Sequence, residues 1–233
     1  EANAAAGALS KAHGAALDEK FKIGGWVNIV EDSQDIRLDV KYKKGGPSAN
    51  VRYFNPAAAY PNPIDWKYGI KGYGMLMDGT HKSPKYPKGR GNKIGNFPSF
   101  IHGAASNLAL ADRAYFGKPI ASRKNWKGNT MKEITTRWRG RGSAIPTGYT
   151  AEQVMPTDFM DDPKQAINLF KEMALHESKT IKDKISPDDW LDAWKMMQAG
   201  GAGIPFVPKS KEQAKLLAAF EKEMADEKKL AKK

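Results

Sequence analysis

Glu177 is the residue whose type and spacing best suit it to chemistry. A helix over 163–177 would place Ile167, Phe170 and Ala174 on one face, and Glu177 continues that apolar stripe by one turn. A carboxylate at the end of such a stripe is short of water, and desolvation raises a carboxyl pKa. An acid that stays protonated near neutral pH can donate to a leaving oxygen, which is what glycosidic cleavage needs. The opposing reading is a Glu177 that reaches solvent at a fraying helix end; the spacing does not choose between them.

Other chemistries have less to stand on. The run Arg137-Trp138-Arg139-Gly140-Arg141-Gly142 suits phosphate contact or sugar stacking, or else Trp138 is a core anchor with exposed arginines around it. His13, His81, His102 and His176 are isolated and lack the i, i+4 pairing of a helical metal site, so no metal is expected. Gly89–Gly95 lacks the Gly-Lys-Ser/Thr ending of a phosphate loop, and no G-x-S-x-G elbow is present. Asp161-Asp162 and Asp188-Asp189 read as helix caps rather than ligands. No cofactor is expected. With no cysteine, disulfides and thiolate metal sites are excluded.

The elements that must position these residues divide the 233-residue chain in two. Residues 3–20 are Ala-rich and read as a helical arm. Ile36, Leu38, Val40 and Tyr42 alternate with Arg37, Asp39, Lys41 and Lys43, the period of a half-buried strand, and Trp26–Val30 would pair with it as a hairpin. Residues 50–98 are rich in Gly, Pro, Tyr and Asn and read as loops and short strands carrying a folded aromatic surface. Helices follow. One spans 100–116 with Ala104, Leu108, Ala111 and Tyr115 on one face. Another runs from a Thr130/Glu133 capping box through Trp138. Asp162-Pro163 opens the helix to Glu177, and Ser186-Pro187 opens one to Gln198. Gly200–Pro205 breaks the pattern, and Ser210 with Gln213 caps a last helix. The fold class is α+β, mainly helical, with a small N-terminal β-hairpin and a long Gly/Pro/Tyr-rich segment.

The formal net charge is +12. A balance this basic fits nucleic acid, an anionic surface such as a cell wall, or plain solubility. No apolar run approaches the roughly 20 residues that span a bilayer. The opening residues lack the features of a secretory leader, and the acidic first residue reads as a processed or trimmed start.

Several segments together resemble a known family. Asn55-Pro56 is followed by Trp66, and Phe97-Pro-Ser-Phe100-Ile-His-Gly103 opens a helix. Asn129–Ile134 leads to Arg137-Trp138, and Gly148-Tyr149-Thr150 follows. Asp162-Pro163 then begins a helix that ends His176-Glu177-Ser178. In order and spacing, over about residues 50–195, this resembles the phage virion-associated, lysozyme-like proteins that carry an "NPGNIR" segment. Glu177-Ser178 is also similar to the Glu-Ser pair of lytic transglycosylases, which use one acid carboxylate. The chain departs from the pattern after Asn55-Pro56, where Ala57-Ala58-Ala59-Tyr60 replaces Gly-Asn-Ile-Arg, and after Trp138, where Arg139-Gly-Arg-Gly replaces Ala-Pro.

The resemblance implies a lysozyme-like domain over 21–198, with a β/loop part to 98 and a helical part from 99. It would lie between a helical arm (1–20) and a linker with a C-terminal basic helix (199–233). It implies a virion protein, in capsid or tail, delivered to the host periplasm to degrade peptidoglycan during genome ejection. Glu177 would be the catalytic acid, with Asp112 or Asp65 as a possible second carboxylate. Tyr60, Trp66, Tyr73 and Trp138 would stack on sugars, with Arg137 and Asn55 as further substrate contacts. Partners would be peptidoglycan, other virion proteins in a multimeric assembly, and packaged DNA. The alternative is a non-catalytic internal virion or ejection protein that keeps the scaffold and contacts DNA or its neighbours; the altered Asn-Pro segment favours it. A cellular nucleic-acid-binding protein is a third reading, without a recognisable motif behind it.

Overall fold

The computed structural model describes residues 49–59, 64–76, 92–113, 130–139, 143–182 and 184–231. The expected helix 3–20 and hairpin 26–43 lie outside them. Among the described residues the protein is mainly helical. The helices are α1 (Ala49–Arg52), α2 (Phe100–Ala111), α3 (Met131–Arg139), α4 (Pro163–Glu177), α5 (Pro187–Ala199) and α6 (Lys211–Leu230). One antiparallel ladder joins β1 (Gly72–Leu76) to β2 (Asn92–Asn96), pairing Gly72 with Asn96 and Leu76 with Asn92. No described helix is long and apolar enough to cross a membrane.

The helix ends follow local chemistry. Ser99 Oγ accepts from His102 N–H at the start of α2. Thr130 and Glu133 form a reciprocal pair, with Glu133 N–H donating to Thr130 Oγ1 at 3.3 Å and Thr130 N–H to Glu133 Oε2 at 3.2 Å. Asp162 accepts from Gln165 N–H and is followed by Pro163, which has no N–H to leave unpaired. Ser186 and Asp189 make a full capping box, and Gly200 closes α5 at φ 88. Ser210 caps α6 through Gln213 N–H.

The core lies where α2 packs along α5, with α4 beside α5 and α6 against α4. α2 spans Phe100–Ala111, and residues 114–116 of the expected helix, Tyr115 among them, lie outside the described residues. The helix is buried on nearly every side rather than along one face, from His102 to Ala109. Its Gly, Ala, Ser and Asn residues are short enough to let neighbours approach from all directions. α4 buries Ile167, Leu169, Phe170 and Met173, and each such side chain contributes about 1.5–3 kcal/mol. α5 buries Trp194 completely; its indole N–H donates to Met160 O at 2.9 Å, so burial leaves no polar atom unpaired there. α6 buries only Gln213, Leu217, Phe220 and Met224, one stripe at helical spacing. Ion pairs tie its outer faces and the residues before it to the rest: Lys164–Glu223, Lys195–Glu221, Lys228–Asp188 and Lys209–Asp161.

Candidate active site

The loop Asn55–Ala59 is held by side chains that reach it from far along the chain. Asn55 is 0% exposed. Its amide Nδ2 donates to Ala59 O and to Gly95 O, both at 3.0 Å. Its Oδ1 accepts from Ala59 N–H and from Asn107 Nδ2, again at 3.0 Å. Asn107 Oδ1 in turn accepts from Ala57 N–H at 2.9 Å, and Asn50 Nδ2 donates to Pro56 O at 3.0 Å. Trp138 Nε1 donates to Ala57 O at 3.0 Å. A buried backbone turn must place its polar groups somewhere, and three asparagines and one indole take them here.

The turn is also conformationally costly. Phe54 and Ala58 have φ of 50 and 53, in the left-handed region that L-residues with a Cβ rarely adopt. Gly103 faces it from α2, and a Cβ there would stand 1.7 Å from Phe54 O. Only glycine permits that approach. The Phe54 and Phe100 rings meet edge to face at 5.0 Å, closing the start of α2 over the turn.

α4 enters this neighbourhood through Phe170, whose ring meets Trp138 edge to face at 5.4 Å and 84°. Ile167, Phe170 and Ala174 are all buried, as their spacing predicts. Glu177 is the last residue of α4, half-buried, two turns beyond Phe170 on the same side. Ser178 is buried behind it, with its N–H on Ala174 O. The 3-10 turn Lys179–Ile181 that follows packs on α1, the turn leading into Tyr53 and Asn55. The Glu177 end of α4 therefore lies against the elements that carry the Asn-Pro loop.

The expected site residues sort as follows. Asn55 is buried, and its carboxamide is engaged inside the protein, where it shapes the loop. Trp138 and Trp66 are half-buried and pack against the core, with Lys67 Nζ 5.7 Å from the Trp66 ring centre. Tyr73 lies in β1 opposite Gly95, and Arg137 lies in α3 one residue before Trp138. Tyr60 lies outside the described residues.

Of the two candidate second carboxylates, Asp112 lies towards the opposite end of α4 from Glu177. Asp65 is buried and accepts from Ser106 Oγ at 2.7 Å, joining the 3-10 turn Asp65–Tyr68 to α2. Asp112 follows α2, and burial pushes its carboxyl above the usual range, with Lys209 opposing and Asp161 adding to the rise. Asp161 precedes the first turn of α4, whereas Glu177 ends that 15-residue helix. At 1.5 Å per residue the two ends are about 22 Å apart, against the roughly 5–9.5 Å between paired glycosidase carboxylates. Asp112 sits close enough to Asp161 and Lys209 to feel their charges, so it belongs to the far end.

The residue that sequence reasoning missed is Asn107. Its signal is only that a polar amide sits among Ala and Leu in a buried helix. No protein-family model, curated protein or solved structure matches the chain.

Proposed function

We propose that the chain is a phage virion-associated protein directed at peptidoglycan, lysozyme-like in its helical part, with Glu177 as the general acid. One observation carries the reading: the segments of the resemblance meet in space. Asn55-Pro56, the Phe97–Gly103 helix start, Trp138 and the helix ending at Glu177 are spread over more than 120 residues and converge on one loop.

The departures from the pattern fit the same frame. Ala57 and Ala59 are buried where the pattern has Gly and Ile, so apolar character is kept where it packs. Ala58 has φ 53 where the pattern has Asn, the non-glycine residue that tolerates this conformation best.

Glu177 would protonate the glycosidic oxygen as the bond to the anomeric carbon breaks. The muramyl C6 hydroxyl would then add to that carbon and return its proton to the Glu177 carboxylate. With Asp112 towards the other end of α4, this single-carboxylate, transglycosylase-type route is favoured over a muramidase route that would take Asp112 as its second carboxylate. The protein would act in the periplasm during genome ejection, as part of a virion assembly.

Zymography on purified peptidoglycan tests this. Wild type should clear the substrate, and Glu177→Gln should abolish clearing while its circular dichroism stays unchanged. Clearing by Glu177→Gln at the wild-type rate would remove Glu177 from the mechanism.

A second reading is a non-catalytic virion component that contacts packaged DNA or neighbouring proteins. The specific observation in its favour is that Asn55 spends its whole carboxamide inside the loop and Ala58 offers a ligand no polar group. It predicts no clearing by wild type, and DNA binding that falls steeply with salt.

A further inference from the structure

A second place in the molecule, on the other side of α4, has the make-up of a binding site. A cavity of about 270 Å³ lies between α4, the 3-10 turn Lys179–Ile181 and the start of α5. Leu175, Ile181, Ile185 and Trp190 form its apolar floor, and Lys171 and Lys182 stand at its rim. At 100° per residue, Lys171 and Leu175 lie about 120° and 160° around the helix from Glu177. Lys171 and Leu175 therefore project from a different side of α4 than Glu177, and the cavity is argued without the function proposed above.

Lys171 carries the argument for an anion. It is half-buried, and among the described residues no carboxylate comes within ion-pair distance of its ammonium. Burial lowers its pKa, and Glu227 on α6 only partly offsets this through its charge. An ammonium that has lost hydration without gaining a close counter-ion gains more than an exposed lysine when an anion arrives. The rim has two compact ammonium groups, point charges that attract an anion, and the apolar floor beside them selects one that carries a hydrocarbon body. The floor favours hydrocarbon, because apolar surface gains when it is removed from water. The volume equals roughly nine waters at about 30 Å³ each, room for a chain of about eight carbons.

We propose that this cavity binds a small apolar monocarboxylate, with its hydrocarbon body on Leu175, Ile181, Ile185 and Trp190 and its carboxylate between Lys171 and Lys182.

Calorimetric titration of the full chain with octanoate, with octylammonium as the charge-reversed control, is the test. Octanoate should bind saturably at one site, and octylammonium should not. Lys171→Met should weaken octanoate binding at least tenfold, and Lys171→Arg should retain most of it. Glu177→Gln should bind octanoate as wild type does, whatever its effect on peptidoglycan. Failure of octanoate to saturate, equal binding of octylammonium, or wild-type affinity in Lys171→Met would each overturn the proposal.

Discussion

Asn107 and Asn55 stand 52 residues apart in sequence and share a hydrogen bond of 3.0 Å inside the protein, while the carboxamide oxygen of Asn107 holds Ala57 N–H at 2.9 Å. Asn107 is fully buried. Replacing it with Ala removes both bonds, strands a buried N–H, and opens a small void. Asn107→Ala should lose about 2–4 kcal/mol of stability in urea denaturation. A loss below about 1 kcal/mol would mean that the loop finds other partners and that Asn107 is not its anchor.

The contact between Gly103 and Phe54 O allows no side chain at all. Gly103→Ala should cost about 3 kcal/mol or more, because backbone rather than a flexible side-chain end would have to move. Thermal denaturation of Gly103→Ala beside Ala104→Gly separates steric conflict from simple helix propensity: the first should be much the worse.

Ala58 offers the opposite case. Its φ of 53 is strained for alanine and free for glycine. Ala58→Gly should raise stability by about 0.5–1 kcal/mol, even after the larger entropy of a glycine in the unfolded chain is counted. A loss of stability would show that the residue is not strained in solution.

Asp112 sets a pH dependence whose sign can be worked out. Its folded pKa is raised by burial, Lys209 lowering it and Asp161 raising it further. The native state therefore holds this proton more tightly than the unfolded chain does. That contribution is complete below the ordinary value of 3.8 and is lost as pH rises through the folded pKa. Asp112→Asn should be more stable than wild type at pH 7, and the gap should close by pH 3. The same substitution should lower the pKa of Tyr68, which burial and then the Asp112 charge hold above its ordinary value. Urea midpoints at the two pH values and a spectrophotometric tyrosine titration check both.

The ion pairs around α6 are half-exposed, so each should be worth less than about 1 kcal/mol and should weaken with salt. Because α6 buries only four side chains, amide exchange over 211–230 should accelerate in 1 M NaCl more than exchange in α2 or α5. Equal acceleration throughout would show that α6 is held by packing alone.

The sequence revealed the elements whose determinants are local. Asp162-Pro163, Ser186 with Asp189, Thr130 with Glu133, and Ser210 with Gln213 each act within three residues, and all four cap the helices they announce. The Ile167, Phe170, Ala174 stripe was legible for the same reason. Composition predicts short strands within 50–98, but the β1–β2 pairing has no clear signal, since Gly-Tyr-Gly-Met-Leu and Asn-Lys-Ile-Gly-Asn lack clean alternation. The hydrogen bonds of Asn55 leave no local trace, because its partners Gly95 and Asn107 lie 40 and 52 residues away. Which end of α4 Asp112 approaches is likewise decided by tertiary packing and has no trace in the spacing.

The Asn-Pro loop also has a consequence for how the chain reaches this structure. Its left-handed residues are locally unfavourable, and the groups that hold it arrive from β2, α2 and α3, 40 to 81 residues away. It has no cause to form before those three elements are docked, and closing loops of that length is entropically slow. Weakening Asn107 or Trp138 should then speed unfolding far more than it slows folding, the mark of contacts made after the rate-limiting step.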